Sequence, residues 1–291
     1  MIESVGIVSK HGLRAAAEHL AQIAAWLDER GVVPVFDIET AAIAGLHGPS
    51  RTVARDVLPL HCDLVLVLGG DGTLIGMANR IAAAGRDVPI LGVNFGSLGF
   101  LTEVTLSEMY QSLESAIAGS APLDERLMLH TVVERSGRAA VDRTVLNDLV
   151  VTRGAQSRMI SLSVSVGTQL VARFTADGLI LASPTGSTAY NLSAGGPIVH
   201  PALDALVLTP IAPHTLTNRP VVLPTAQEVT VQPLERDSST EIIASFDGQL
   251  GVRLEAGDVV RVRKAEARLR MVRAPRNYFE VLRQKLRWAE R

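Results

Sequence analysis

The sequence predicts an α/β protein in two parts, a parallel α/β layer first and an antiparallel β-rich layer after it. Three observations carry this. Up to about residue 120, short runs apolar on both faces alternate with helix-period segments, the pattern of a parallel sheet covered on both sides. After residue 120, strand-length runs follow one another with turn residues between them, and no helical period returns before the tail. The 291 residues, 47% hydrophobic and 20% charged, give enough chain for two such domains and an ordinary globular composition.

The first strand is VGIVS at 5–9. Leu13, Ala16, Ala17, Leu20, Ile23, Ala24 and Leu27 then form one helix face, stopped by Gly31. VVPVF (32–36) and LVLVL (64–68) are the next strands, a helix runs from Thr73 to near Gly85, and VPILGVN (88–94) follows as a strand. Thr105 and Glu108 stand at capping-box spacing before a helix ending at Gly119. In the second half, LMLHTVVE, RTVLNDLVVT, MISLSVSV, QLVARF, GLILAS, EVTVQPL, EIIASF, VRLEAG and DVVRVR read as strands of an antiparallel layered sheet. The tail places Phe279, Leu282, Leu286 and Ala289 on one helix face. The expected division is a Rossmann-like parallel α/β domain over 1–120, joined by a C-terminal helix over 275–291, and a sandwich-like β-rich domain over 121–274.

Composition excludes several classes. Cys62 is the only cysteine, so no intrachain disulfide can form. The start, MIESVGIVSK, has no basic-then-apolar leader and no apolar run approaches about 18 residues, so the expectation is a cytoplasmic chain with no membrane partner. A net charge of −2 argues against a general nucleic-acid partner. Eleven Lys and Arg against three Glu lie between Arg261 and Arg291. Their alternation with other residues reads first as a solvated strand face and a basic helix, ahead of a polyphosphate or nucleic-acid patch.

Four stretches carry chemistry. In LGGDGT (68–73), Asp71 sits between Gly70 and Gly72, before Thr73, where a buried strand ends. Ligands of parallel sheets bind beyond such ends. Glycines there admit a bound group close to backbone N–H donors, and a helix starting beside them favours phosphate. An aspartate in that position suits a metal, or a hydroxyl about to attack phosphorus; the alternative is a plain Asp-Gly turn. No Walker pattern occurs. In LNDLVVTRG (146–154), Asn147 and Asp148 pair an amide with a carboxylate, able to meet ribose hydroxyls and a ring nitrogen, or to serve as a turn and cap. In ADGLILASPTGSTAYNLSAGGPIVHP (176–201), Asp177 precedes a strand and Thr185, Ser187, Thr188, Tyr190, Asn191 and Ser193 crowd small donors together, as a base and sugar site would need. Serine-hydrolase spacing is missing. In SFDGQ (245–249), Asp247-Gly248 reads as a hairpin turn and only Gln249 suggests a contact. The seven His are scattered, so no protein-held zinc or other metal site is read; a divalent cation, Mg2+, would arrive with a nucleotide.

These stretches together resemble the bacterial-type NAD kinase family. The resemblance covers GGDGT, NFGSLGFLTE, the Asn-acidic pair in LNDLVV, DGLILASPTGSTAYNLSAGGPI, SFDGQ and the closing YFEVLRQKLRW. GGDG alone is shared with phosphofructokinase-like and lipid kinases; the 176–201 stretch is far more specific. The family implies an active site between the two domains, often completed by a neighbouring subunit in a homodimer or homotetramer. It implies transfer of phosphate from ATP or polyphosphate to the adenosine-ribose 2′-hydroxyl of NAD, giving NADP, with a divalent metal. Carried across, Asp71 is the proton acceptor. Gly70, Gly72, Thr73, Asn147, Asp148, Arg158, Thr175, Asp177, Thr188, Ala189, Tyr190, Asn191, Ser193 and Gln249 bind substrate or nucleotide. The pair here is Asn-Asp where the family has Asn-Glu, a carboxylate drawn back by about 1.5 Å, which points to ribose contact through water. Thr175 stands where members carry Arg or Gly. Two rival readings remain at this point: a GGDG-type lipid kinase, and a dinucleotide sensor without catalysis.

Overall fold

The computed structural model describes residues 2–46, 51–96, 98–155, 158–215, 217–234, 240–274 and 276–288. The chain divides into two units, Met1–Glu125 with Leu269–Arg291, and Arg126–Arg268.

The first unit contains β1 (Ser4–Ser9), α1 (Ala17–Asp28), β2 (Val33–Asp37), α2 (Ile38–Ile43), β3 (Thr52–Val53), β4 (Leu64–Gly69), α3 (Asp71–Ala83), β5 (Ile90–Asn94), β6 (Val104–Thr105) and α4 (Met109–Ile117). Its strands are parallel in the order β3-β2-β1-β4-β5, with β6 beside β5. β4 is buried along its whole length, as its unbroken apolar run requires of a central strand. α1 turns Leu20, Ile23 and Leu27 into a core shared with Val5, Ile7, Leu64, Leu66 and Leu91. The order reverses between β1 and β4, so the crevice of a doubly wound sheet opens past the ends of these two strands.

Several pieces of the first unit escape the sequence pattern, β3, β6 and α2 among them. α2 is too brief for a helical period; it forms because the Asp37 side chain accepts the Thr40 N–H at 2.8 Å and caps it. α3 begins at Asp71, two residues before the expected Thr73, which makes Asp71 its first residue.

The second unit contains, after β7 (Leu123–Arg135) enters it, β8 (Arg138–Val145), β9 (Asp148–Arg153), β10 (Ile160–Val166), β11 (Gln169–Ala176), β12 (Gly178–Ala182), α5 (Tyr190–Ser193), β13 (Ala205–Ile211), β14 (Val221–Pro224), β15 (Val229–Pro233), β16 (Ile242–Phe246) and β17 (Gln249–Leu254). β18 (Val259–Val272) then leads back to the first unit. One antiparallel layer runs β14-β13-β12-β9-β16-β17 and the other β11-β10-β15-β18. Leu149, Val151, Leu179, Leu181 and Phe246 of the first layer share a core with Ile160, Leu162, Phe174, Val231 and Val260 of the second. The outer face of β9, β12 and β13 packs Val150, Ile180, Ala182 and Val207 against Val199, so residues 183–204 cover it. That double covering explains why β12 reads as an unbroken apolar run.

The return to the first unit comes at Leu269, inside β18, and not near residue 275. Met271 lies opposite Ile90 of β5 in parallel register, so the last turn of the strand already belongs to the α/β sheet. α6 (Tyr278–Leu286) follows, with a reciprocal capping box between Asn277 and Glu280. It buries Val281 and Leu282, whereas Phe279, expected on that face, is 56% exposed. The face is rotated by one position from the predicted one; Ala289 lies outside the described residues. Among the described residues no helix is long and apolar enough to cross a membrane.

Candidate active site

In the first unit, β4 ends at Gly69 and α3 starts two residues later with Gly70 as its N-cap, which supplies no side-chain acceptor to the first-turn amides. Gly70 and Gly72 have ordinary backbone angles, since neither is among the positive-φ glycines. What the missing side chains provide is space: a Cβ on either would meet nothing within 4 Å. An uncapped helix start with an open face is an anion-binding arrangement. Thr73 is half-buried, its hydroxyl 2.9 Å from where a Cβ on Gly69 would stand.

Asp71 is tied to the loop after β5. Its Oδ1 accepts from Leu101 N at 3.1 Å, Thr102 N at 3.0 Å and Thr102 Oγ1 at 2.9 Å, and its Oδ2 from Phe100 N at 2.8 Å. A carboxylate offers about four lone-pair sites, two per oxygen, so Oδ1 is saturated and Oδ2 keeps capacity for a further donor. A Cβ on Gly99 would lie 2.0 Å from Oδ1, which is why glycine occurs in the NFGSLGF stretch there.

In the second unit three segments meet at one end of the layer that contains β9. Asp148 is opposite Ala182 in the β9–β12 register, and Leu149 is opposite Phe246 of β16. The Asp247-Gly248 turn therefore adjoins Asn147, with positive φ at both turn residues, 51° and 68°. The Asp247 carboxylate accepts from Leu146 N at 2.9 Å, Asn147 N at 2.7 Å and Asp148 N at 3.1 Å. Sequence reasoning saw only a hairpin here and missed this clamp; the signal lay in an Asp-Gly turn one strand away from an Asn-Asp pair, which only pairing reveals. From the third segment, Ser183 N donates to Asn147 O at 2.8 Å, Ser183 Oγ donates to Leu146 O at 2.5 Å, and Gly186 N donates back to Ser183 Oγ at 3.1 Å.

This packing leaves polar groups facing inward without partners. Asn147 Oδ1 and Thr185 Oγ1 are buried and unpaired among the described residues. Asp148 is 4% exposed, and burial, with the Asp247 charge second, pushes its carboxyl up to about 7. Unpaired buried acceptors beside a shifted carboxyl mark a place where a ligand supplies the missing donors.

Gly186 sets the spacing. A Cβ there would lie 2.1 Å from Asn147 O and 2.7 Å from its Cα, backbone atoms that cannot swing aside. Gly186→Ala should cost about 1–3 kcal/mol in a denaturant titration and displace Asn147, whereas Gly72→Ala, in open space, should leave stability nearly unchanged.

The other predicted residues distribute as follows. Thr188 Oγ1 donates to Thr185 O at 3.3 Å, Ala189 is half-buried, and Tyr190 and Ser193 are exposed on α5. Asn191 is fully buried: its Nδ2 donates to Ser187 O and Pro197 O at 2.9 and 3.0 Å, and its Oδ1 accepts from Thr209 at 2.6 Å. It holds the loop in shape, with its amide spent internally. Asp177 and Thr175 lie past the opposite ends of β9 and β12 from Asn147. There Asp177 pairs with Arg153 at 2.6 Å and Thr175 Oγ1 is 3.2 Å from Ser161 Oγ. Arg158 and Gln249 are exposed.

Among the described residues no group of three or more His, Cys, Asp or Glu converges on a metal position. The basic stretch of β18 is largely compensated: Arg261 pairs with Glu134 and Glu228, Lys264 and Arg268 with Asp204, and Arg270 with Asp87. These pairs fit a solvated strand face.

Residues 5–121 match the ATP-NAD kinase N-terminal domain and residues 146–274 the ATP-NAD kinase C-terminal domain. The NAD kinase of Geobacter sulfurreducens is 48% identical over 272 residues, 93% of each chain, and that of Syntrophotalea carbinolica 46% identical over 291 residues, the whole of both. Among solved structures, yeast NADH kinase complexed with NADH superposes with a TM-score of 0.89 at 24% identity, covering 100% of this chain and 89% of the other; it speaks for the fold alone. An NAD kinase from Archaeoglobus fulgidus in complex with ATP gives a TM-score of 0.74 at 25% identity over 98% of both chains. With both domains matched in order and nearly half the residues identical over the full length of curated relatives, the chain belongs to the NAD kinase family.

Proposed function

We propose that this protein transfers the terminal phosphoryl group of ATP to the 2′-hydroxyl of the adenosine ribose of NAD, forming NADP and ADP. The observation that carries the reading is Asp71, held by four donors on the first turn of an uncapped helix with Oδ2 still able to accept. Oδ2 orients the ribose hydroxyl and takes its proton as the O–P bond forms; the bond to the leaving ADP oxygen breaks in line. Phosphoryl transfer asks a protein mainly for positioning and charge neutralisation, which open glycine amides at a helix start supply. Asn147, Asp148 and Thr185 offer acceptors and, while Asp148 is protonated, a donor, for the ribose and base of the dinucleotide. Thr188, Ala189, Tyr190 and Ser193 line the same dinucleotide, Gly70, Gly72 and Thr73 face the donor's phosphates, and Arg158 and Gln249 give outer contacts.

The divalent cation, Mg2+, enters as part of the donor substrate, held by phosphates and water. Polyphosphate is the alternative donor. We also infer a homodimer or homotetramer with shared sites. Thr175 and Asp177 lie at the opposite ends of adjacent strands from Asn147, which supports their serving a neighbouring subunit's substrate. The cytoplasm, where NAD and ATP are both available, is the inferred compartment.

The test is a coupled assay for NADP from NAD, with NADH in parallel, using ATP or polyphosphate with and without Mg2+. NADP should form from NAD with MgATP and stop on chelation. No product in any combination would overturn the proposal.

A further inference from the structure

The donor's phosphates carry several negative charges, and Asp71 at the same place adds another. The Mg2+ that arrives with the donor offsets part of this charge, and a protein cation beside it would offset more. In the first unit the sheet order reverses between β1 and β4, so the ends of these two strands flank one crevice. GGDGT leaves β4 on one side. Lys10 leaves β1 on the other, directly alongside: its N–H donates to Leu68 O at 2.8 Å, and a Cβ built on Gly69 would stand 3.1 Å from the Lys10 Cβ.

Two neighbouring side chains at this end already engage carboxylates. His11 pairs with Glu39, and Arg55 pairs with Asp37 at 2.8 Å while donating to Ser9 O at 3.2 Å. Asp37 itself is 1% exposed, so Arg55 cannot leave without stranding a buried charge. Lys10 is exposed, and no acid pairs with its ammonium among the described residues. Its flexible four-carbon stem lets a compact point charge follow a phosphate, the use to which lysine is put in other phosphate loops.

We propose that the Lys10 ammonium binds the phosphate chain of the phosphoryl donor, across the crevice from the open amides of Gly70 and Gly72. This rests on the kinase reading above and adds to it the residue that holds the donor. Tripolyphosphate and ATP share the chemistry recognised, so Lys10 serves either donor, whereas the dinucleotide acceptor does not depend on it.

The experiment compares wild type with Lys10→Ala, Lys10→Arg and Arg14→Ala, the last removing an equal charge from the same loop. With MgATP as variable substrate, Lys10→Ala should raise KM for the donor about tenfold or more, the scale of one charge-assisted hydrogen bond. Its KM for NAD and its thermal midpoint should stay at wild-type values. Inorganic tripolyphosphate should inhibit Lys10→Ala more weakly than wild type by a similar factor, and Lys10→Arg should recover part of both. A donor KM unchanged in Lys10→Ala, a matching rise in KM for NAD, or an equal loss in Arg14→Ala would each overturn the assignment. NADP formation by wild type is read in the same assay, so failure of the kinase reading is distinguished from failure of Lys10 alone.

Discussion

Asp71→Asn should lower turnover for NADP formation by at least about 100-fold, the lower range for loss of a positioned general base, while calorimetry still detects NAD binding. The geometry makes the result richer than a simple loss of basicity. The carboxylate receives three backbone N–H groups and a hydroxyl, and asparagine offers one acceptor oxygen plus an NH2 that confronts donors. The loop at Phe100–Thr102 therefore loosens as well. Thr102→Val separates the two effects, because it removes one donor to Oδ1 and leaves the carboxylate in place. Turnover close to wild type in Thr102→Val, beside the large loss in Asp71→Asn, assigns the chemistry to the carboxylate. Losses of equal size in the two variants would mean that Asp71 acts as a clamp and that the base lies elsewhere.

Asp148→Asn should raise stability at pH 8 and weaken the enzyme at once. Burial holds the folded carboxyl protonated up to about 7, while the unfolded chain ionises it near 3.8. The folded state thus binds the extra proton between those values, so this group's favourable contribution is complete below 3.8 and drains away as pH rises to about 7. Asparagine cannot ionise and escapes that loss. The gap is worth up to roughly 4 kcal/mol. At about 2–4 °C per kcal/mol for chains of this size, the variant's thermal midpoint should exceed the parent's by several degrees at pH 8 and converge with it near pH 4. NAD affinity should fall about tenfold, since the ionised side chain is lost as an acceptor for ribose. A stability difference independent of pH would refute the buried, proton-holding carboxyl. Groups kept for function often cost stability in this way.

Much of the fold was legible because its period is strong. β4 is apolar at all six positions, and α1 repeats Leu20, Ile23 and Leu27 at helical spacing. Several of the misses are places where local rules yield to contacts made far along the chain, whereas β13, a plain buried apolar run, was simply passed over. α2 exists through one cap and a side-chain pair, Asp37 with Arg55, eighteen residues apart. The tail's buried face differs because α6 starts from the Asn277 cap, which fixes its rotation independently of the apolar pattern. At the candidate site, the residue types in GGDGT, LNDL and the 176–201 stretch were readable and pointed to a nucleotide. What each side chain does was less so. Asn191 reads from sequence as a ligand-facing amide, yet Thr209 and two carbonyls consume it. Asp247 reads as turn filler, yet it grips three consecutive amides about one hundred positions away.

The interrupted path of the first unit bears on how the protein is made. Residues 1–125 leave the ribosome early, but the strand that pairs Met271 with Ile90, and the Arg273 amide that donates to Pro122 O at 2.9 Å, arrive only after 269. Everything the sandwich needs has by then been translated. The usual order of synthesis, amino-terminal body finished first, is inverted here: the middle of the chain can close on itself while the beginning waits, one edge unsealed, for the end.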